Sequence, residues 1–158
     1  MRPLVPLLIF LVIASSAFAQ IFSGKLVKVV DGDTFHVLKN GKAEKIRLAD
    51  IDCPERKQPF GQKAKRYVLD VAAQKIVTVN VKTTDRYGRK VASITLPDGR
   101  NLNQELIRSG LAWWYRKYSK DQNLGKLESE ARKARLGLWA DPAPVPPWSW
   151  RKENKQKR

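Results

Sequence analysis

The sequence predicts a mainly β, α+β fold: a five-stranded Greek-key barrel, closed or partly closed and capped by three helices. Three observations lead there. Short β-branched runs alternate with Gly, Asp, Asn and Pro turn signals. One helical pattern interrupts those runs, and the remaining helical patterns follow the last of them. The chain has 158 residues, 42% of them hydrophobic and 29% charged, enough apolar surface for one buried core.

The elements follow in order. Residues 22–50 read as a three-strand meander. Leu26-Val27-Lys28-Val29-Val30 is the first apolar run, Thr34-Phe35-His36-Val37-Leu38 the second, and Asn40-Gly41 marks a hairpin turn into a third over 44–50. Residues 59–74 read as a helix, with Pro59 in its first turn and Phe60, Ala64, Tyr67, Val68 and Val71 on one face. Residues 75–83 and 91–96 return to strand around the Asp85-Arg86-Tyr87-Gly88-Arg89 turn. Asn101-x-x-Gln104 has the form of a capping box for a short helix that Gly110 closes, with Leu102, Leu106 and Ile107 facing inward. Leu124, Leu127, Ala131, Ala134 and Leu138 mark a third helix over 121–136, with Gly137 as its C-cap.

Both ends differ from this middle. Met1-Arg2, an apolar run from Leu4 to Ala14, and Ala17-Phe18-Ala19 read as a secretory signal over 1–19, cleaved after Ala19. The apolar run is shorter than the ~20 residues of a bilayer span, so no stable membrane insertion is expected after cleavage. The mature chain is then secreted or periplasmic, with the barrel domain at 20–140. Residues 141–158 form a Pro-rich basic tail. Pro142, Pro144, Pro146 and Pro147 argue for extended chain, and residues 151–158 carry five positive charges and one negative.

Composition narrows the function. The net charge of +16 calls for an anionic partner, either nucleic acid or an acidic membrane surface. A single cysteine, Cys53, rules out an intrachain disulfide and a Cys-rich zinc site. A single histidine, His36, rules out mechanisms that need two imidazoles, and its place on a strand marks it as a surface or edge residue.

What remains is carboxylate and guanidinium chemistry. Asp31-Gly32-Asp33 joins two strands, and Asp50-x-Asp52-x-x-Glu55 ends the third, so a meander can bring the two groups to one end of the sheet. Grouped carboxylates in so basic a chain need a cation or hydrogen bonds, and hard oxygen ligands suit Ca²⁺ or Mg²⁺. Asp31-Gly32-Asp33 taken alone reads first as an ordinary turn. Arg47 and Arg89 stand at strand ends, where a guanidinium can grip phosphate, although either one alone reads as a surface charge.

Val30-Asp31-Gly32-Asp33-Thr34, residues 46–55 (Ile-Arg-Leu-Ala-Asp-Ile-Asp-Cys-Pro-Glu) and Asp85-Arg86-Tyr87-Gly88-Arg89 resemble the staphylococcal (thermo)nuclease family, and the resemblance extends over about residues 25–140. It implies an OB-fold-type barrel and a Ca²⁺-dependent phosphodiesterase that acts on DNA and RNA and leaves 3′-phosphate ends. By that resemblance Asp33 and Asp52 hold Ca²⁺ through carboxylates and Cys53 through its backbone carbonyl. Glu55 is the general base or water-orienting group, Arg47 and Arg89 bind phosphate, and Asp31 lies behind the metal. Cys53 stands where the best-known member has threonine, a change that a backbone ligand survives.

The resemblance also implies tyrosines near the base and the phosphate, which makes Tyr115 and Tyr118, and with them Tyr87, the substrate-binding candidates; aromatic rings stack on bases of single-stranded or frayed nucleic acid. Trp113 and Trp114 could serve the same purpose or pack in the core. Nothing in the sequence demands more than a monomer. Two other readings use the same basic surface: a non-catalytic nucleic-acid-binding module on the barrel, and an adhesive or envelope-binding protein. The joint presence of Asp33, Asp52, Glu55, Arg47 and Arg89 speaks against the first of these.

Overall fold

A computed structural model describes residues 20–156. The reading of residues 1–19 as a signal lies outside the described residues.

Five strands close a barrel in the order β1-β2-β3-β6-β5. They are β1 (Gln20–Val29), β2 (Thr34–Lys39), β3 (Lys42–Leu48), β5 (Ile76–Thr84) and β6 (Lys90–Thr95). The β1-β2-β3 meander is antiparallel, while β3 and β6 run parallel, paired from Ile46↔Lys90 to Leu48↔Ala92. This is the expected mainly β, OB-type barrel. Asn40 and Gly41 both take positive φ, at 48° and 78°, as a tight hairpin between β2 and β3 requires. Inward-facing Leu26, Phe35, Val37, Ile46, Val79 and Ile94 are fully buried and fill the barrel.

The helices are α1 (Gly61–Ala72), α2 (Leu102–Arg108), α3 (Gln122–Lys133) and α4 (Pro147–Gln156). Helix α1 buries Ala64, Val68 and Ala72. It starts later than Pro59, because Phe60 takes a left-handed φ of 68° as its N-cap. Helix α2 buries Leu102, Leu106 and Ile107, and the Asn101 side chain accepts from the Gln104 amide at 3.1 Å as its cap. Helix α3 buries Leu124, Leu127 and Ala131 but stops at Lys133. Ala134 is its exposed C-cap, and Arg135 turns the chain with a φ of 52°.

Two features depart from the expectation. After β3 the chain forms a two-residue strand, β4 (Ile51–Asp52), which pairs antiparallel with β7 (Trp113–Trp114). And the described residues form four α-helices, not three. The prolines keep residues 141–146 out of regular structure, but Pro147 opens α4, since its fixed φ suits a helix's first turn. No helix among the described residues is long and apolar enough to cross a membrane.

Candidate active site

The site lies at the mouth of the barrel, where β2 begins and β3 ends. Arg47 pairs across the sheet with Thr34, and the Leu48 amide donates to the Asp33 carbonyl at 2.8 Å. Asp33 and Arg47 are therefore neighbours by register. The β4–β7 pairing then carries Asp52 back to the same point. Close packing holds the turn in place. A Cβ on Gly32 would lie 2.7 Å from the Ala64 Cβ and 3.0 Å from the Cys53 Cβ, so the Asp31–Asp33 turn rests directly on α1. A Cβ on Gly61 would lie 1.9 Å from the Glu55 carbonyl oxygen, so the start of α1 fixes the backbone that carries Glu55.

Arg47 ties the cluster together. Its Nη2 contacts Asp33 Oδ2 at 3.2 Å and Asp52 Oδ1 at 2.8 Å, while its Nη1 donates to the carbonyls of Leu48 at 2.7 Å and Ile51 at 3.0 Å. Asp33 Oδ2 also accepts from the Cys53 amide at 2.8 Å, and Thr34 Oγ1 donates to Asp33 Oδ1 at 3.2 Å. Burial works against the Arg47 charge, but Asp33 and Asp52 outweigh it and hold the guanidinium more firmly protonated than usual.

The carboxylates carry more negative charge than their neighbours neutralise. Burial, then the charge of Asp33, pushes the Asp31 carboxyl up to about 6. Burial also raises Asp52 against the opposing pull of Arg151 and Arg47. Four carboxylates, Asp31, Asp33, Asp52 and Glu55, gather around two guanidiniums, Arg47 and Arg151, and a cation would be stabilised by that excess. The donor set is hard oxygen and fits Ca²⁺ better than a softer metal. Among the described residues no three His, Cys, Asp or Glu side chains converge at ligand distance. Asp33 and Asp52 would therefore hold such an ion together with a backbone carbonyl and water. Cys53 is buried, and burial pushes its thiol well up, so the sulfur stays protonated and packs as a small apolar group.

Residues 45–141 match the family model described as staphylococcal nuclease homologue. The chain is 44% identical over 151 residues to an uncharacterized endonuclease of Escherichia coli O157:H7, covering 96% of this chain and 98% of that one. It is 40% identical over 157 residues to a micrococcal nuclease of Shigella flexneri, covering 93% and 90%. It is 43% identical over 114 residues to a staphylococcal-like nuclease of Arabidopsis thaliana, covering 72% of this chain and 35% of the plant protein. The chain belongs to the staphylococcal nuclease family.

Within this nuclease-family fold, the structure joins Asp33, Arg47 and Asp52 directly and brings Glu55 to them through Arg151. Arg89 does not join the contact network. Its Nε donates to Asp85 Oδ2 at 2.8 Å and its guanidinium lies 5.6 Å from the Tyr87 ring centroid. Tyr115 and Tyr118 meet edge to face at 4.8 Å, with Tyr118 exposed. Trp113 is a core residue, edge-on to Trp139 at 4.5 Å, and Trp114 packs against the main core. His36 lies between Lys28 and Lys45 on the barrel wall, away from these groups.

Two residues of the site escaped the sequence reading, and both lie on α4, beyond the matched region. Arg151 Nη2 contacts Asp52 Oδ2 at 2.8 Å, and its Nη1 contacts Glu55 Oε1 at 2.7 Å. Trp148 stacks on Tyr115 at 5.1 Å with 6° between the planes. The available signal was Pro147 at a helix start, which places Trp148 and Arg151 three apart on one face.

Proposed function

We propose that this protein is an exported, Ca²⁺-dependent nuclease that hydrolyses DNA and RNA without regard to the sugar and leaves 3′-phosphate ends. The observation that carries the reading is the convergence of Asp33 and Asp52 on a single nitrogen of Arg47, with Glu55 linked to the same carboxylate pair. The family and its nuclease-named relatives support the coarser reading, a phosphodiester hydrolase.

In this reading Asp33, Asp52 and the Cys53 carbonyl would hold Ca²⁺, which when bound supplies positive charge against the phosphate. Glu55 accepts a proton from water at a carboxylate oxygen as that water bonds to phosphorus; the bond from phosphorus to the 5′ oxygen breaks, the 5′ oxygen takes a proton from solvent, and the phosphate stays on the 3′ side. Arg47 Nη2, which in this structure meets Asp33 and Asp52, would turn to a phosphate oxygen once the cation takes over those carboxylates, while Nη1 stays on the Leu48 and Ile51 carbonyls. Arg89 leaves Asp85 to reach a second phosphate oxygen. Tyr87, Tyr115 and Tyr118 offer ring faces and hydroxyls to a strand whose bases are splayed, which favours single-stranded or frayed substrate. Water is the nucleophile, so the lack of a Ser or His nucleophile at the site is no obstacle.

Export rests on the small-x-small motif at Ala17–Ala19. The decisive experiment incubates the mature protein with single-stranded DNA, with Ca²⁺ or with excess chelator, and analyses the new ends. Cleavage to 3′-phosphate ends only with Ca²⁺ is expected. Binding without cleavage would favour the non-catalytic module, and cleavage that survives chelation would misplace the site.

A further inference from the structure

We propose that α4 is a built-in lid that shuts the site by imitating both of its ligands. Arg151 takes the place of the divalent cation on Asp52 and Glu55, and Trp148 takes the place of a nucleobase on Tyr115. The inference rests on the Ca²⁺ nuclease reading and goes beyond it, since that reading gives α4 no role.

Two independent contacts carry it. First, Arg151 completes the occupation of the carboxylates. Asp52 Oδ1 already accepts from Arg47, and Asp52 Oδ2 accepts from Arg151 Nη2 at 2.8 Å. Glu55 Oε1 accepts from Arg151 Nη1 at 2.7 Å. In this arrangement neither Asp52 oxygen is free for a metal, and the Glu55 oxygen that faces Arg151 cannot receive a water proton. A guanidinium and a divalent cation also repel each other at such distances. Second, Trp148 lies flat on Tyr115 at 5.1 Å, while Tyr118 meets the same ring edge-on at 4.8 Å. The Tyr115 face that could stack on a base is covered by an indole.

One helical turn separates the two residues, so a single movement of α4 releases both. The hinge side is anchored: buried Gln58 donates its Nε2 to the Val145 carbonyl at 2.6 Å, just before α4 begins. The other side holds by fewer groups: Trp148 also meets Trp113 edge-on at 5.6 Å, and Arg151 pairs with Asp52 and Glu55. The Arg151 and Glu55 side chains are 38% and 37% exposed, and an ion pair so open to water is weak. A divalent cation competing for Asp52, which is itself fully buried, can therefore displace the lid. Apparent cation affinity is the intrinsic affinity reduced by the fraction of molecules with the lid open.

The test is a calorimetric Ca²⁺ titration of the full mature chain and of three variants, without substrate. Arg151→Ala should bind Ca²⁺ at least about fivefold more tightly, fivefold being the factor for losing its partly exposed pair with Glu55 alone, to which the pair with buried Asp52 adds. Trp148→Ala, which removes no charge, should also tighten Ca²⁺ binding, by about two- to fivefold. Lys152→Ala, which removes an exposed charge from the same helix, should leave it unchanged. In the unsubstituted protein, Ca²⁺ should abolish the near-ultraviolet circular dichroism contributed by the Trp148–Tyr115 stack. Tightening in Arg151→Ala alone would overturn the lid, because simple charge removal would then suffice. Unchanged affinity in Arg151→Ala would overturn it as well. Absence of Ca²⁺ binding in all four proteins would instead refute the metal reading, and the lid would fall with it.

Discussion

Arg47 and Arg89 are assigned the same task and are built in opposite ways. Arg47 leaves a barrel strand with its side chain only 14% exposed, and four acceptors fix it: Asp33, Asp52 and two backbone carbonyls. Arg89 follows an exposed turn, and its partner Asp85 lies four residues away on that turn. Burial works slightly against Asp85, but hydrogen bonds from the backbone and side chain of Arg89 hold its carboxyl below the usual range. The contrast teaches that one guanidinium also supports the fold, whereas the other is free to serve the substrate. A buried charge must be compensated on every side, and that compensation fixes its position. An exposed one gains little from its partner and can leave it.

The sharpest way to break this contrast is Arg47→Ala. Removing it leaves Asp33 and Asp52 facing each other while largely buried, and two carbonyls without their donor. Activity should vanish, and stability in chelator should fall by about 3 kcal/mol. Urea denaturation measures this directly. A loss below about 1 kcal/mol would mean that Arg47 does not support the fold.

Glu55→Gln tests the open side of the same mouth. The half-exposed carboxylate meets only Arg151, so the fold should tolerate an amide there. Turnover should fall by about 10² to 10⁴, the usual size of a general-base contribution, while nucleic-acid binding remains. Equal loss of binding and turnover, read from filter binding beside single-turnover rates, would remove Glu55 from the role of base.

Arg89→Ala completes the comparison. It should lower kcat by about 10² to 10³, as the loss of one transition-state donor does, and change stability by less than about 0.5 kcal/mol. If Arg89→Ala destabilised the protein as much as Arg47→Ala, the distinction between the two arginines would collapse.

The same contrast explains what could be read from the sequence. Asp33 and Arg47 stand where β2 begins and β3 ends, so the register of that pair alone brings them together. The Asn40-Gly41 hairpin fixed that register in advance. The β4–β7 pair was illegible because two residues cannot display a period. Helix α3 ends before its apolar pattern does, because Leu138 reaches the core from a 3₁₀ turn at Gly137–Ala140 after the Arg135 reversal. Helix α4 was missed for a different reason. Four prolines read as a stop, yet the last of them sits where a helix accepts it. Arg151 then looked like one more charge of a basic tail. Long-range contacts bring it to Asp52, namely Trp148 on Tyr115 and Trp113 and Gln58 on the Val145 carbonyl, and no local pattern encodes them.

The smallest expected effect probes the excess charge behind Arg47. Asp31 is not compensated as Asp33 and Asp52 are. Its Oδ1 receives only a long contact, 3.4 Å, from the Asp33 amide. Burial and the charge of Asp33 raise its carboxyl from 3.8 to about 6. The folded state then binds a proton that the unfolded state has already released between these values, so stability falls as pH rises from about 4 to about 6. Asp31→Asn removes that ionisation. In chelator at pH 7 the variant should be more stable than the parent by on the order of 1 kcal/mol, and below pH 4 the advantage should disappear. Urea midpoints of both proteins from pH 3.5 to 7.5 decide it. A variant less stable than its parent at pH 7 would show that Asp31 is compensated after all. The excess charge at the mouth, and with it the argument that Asp33 and Asp52 favour a cation, would then have to come from Asp52 alone.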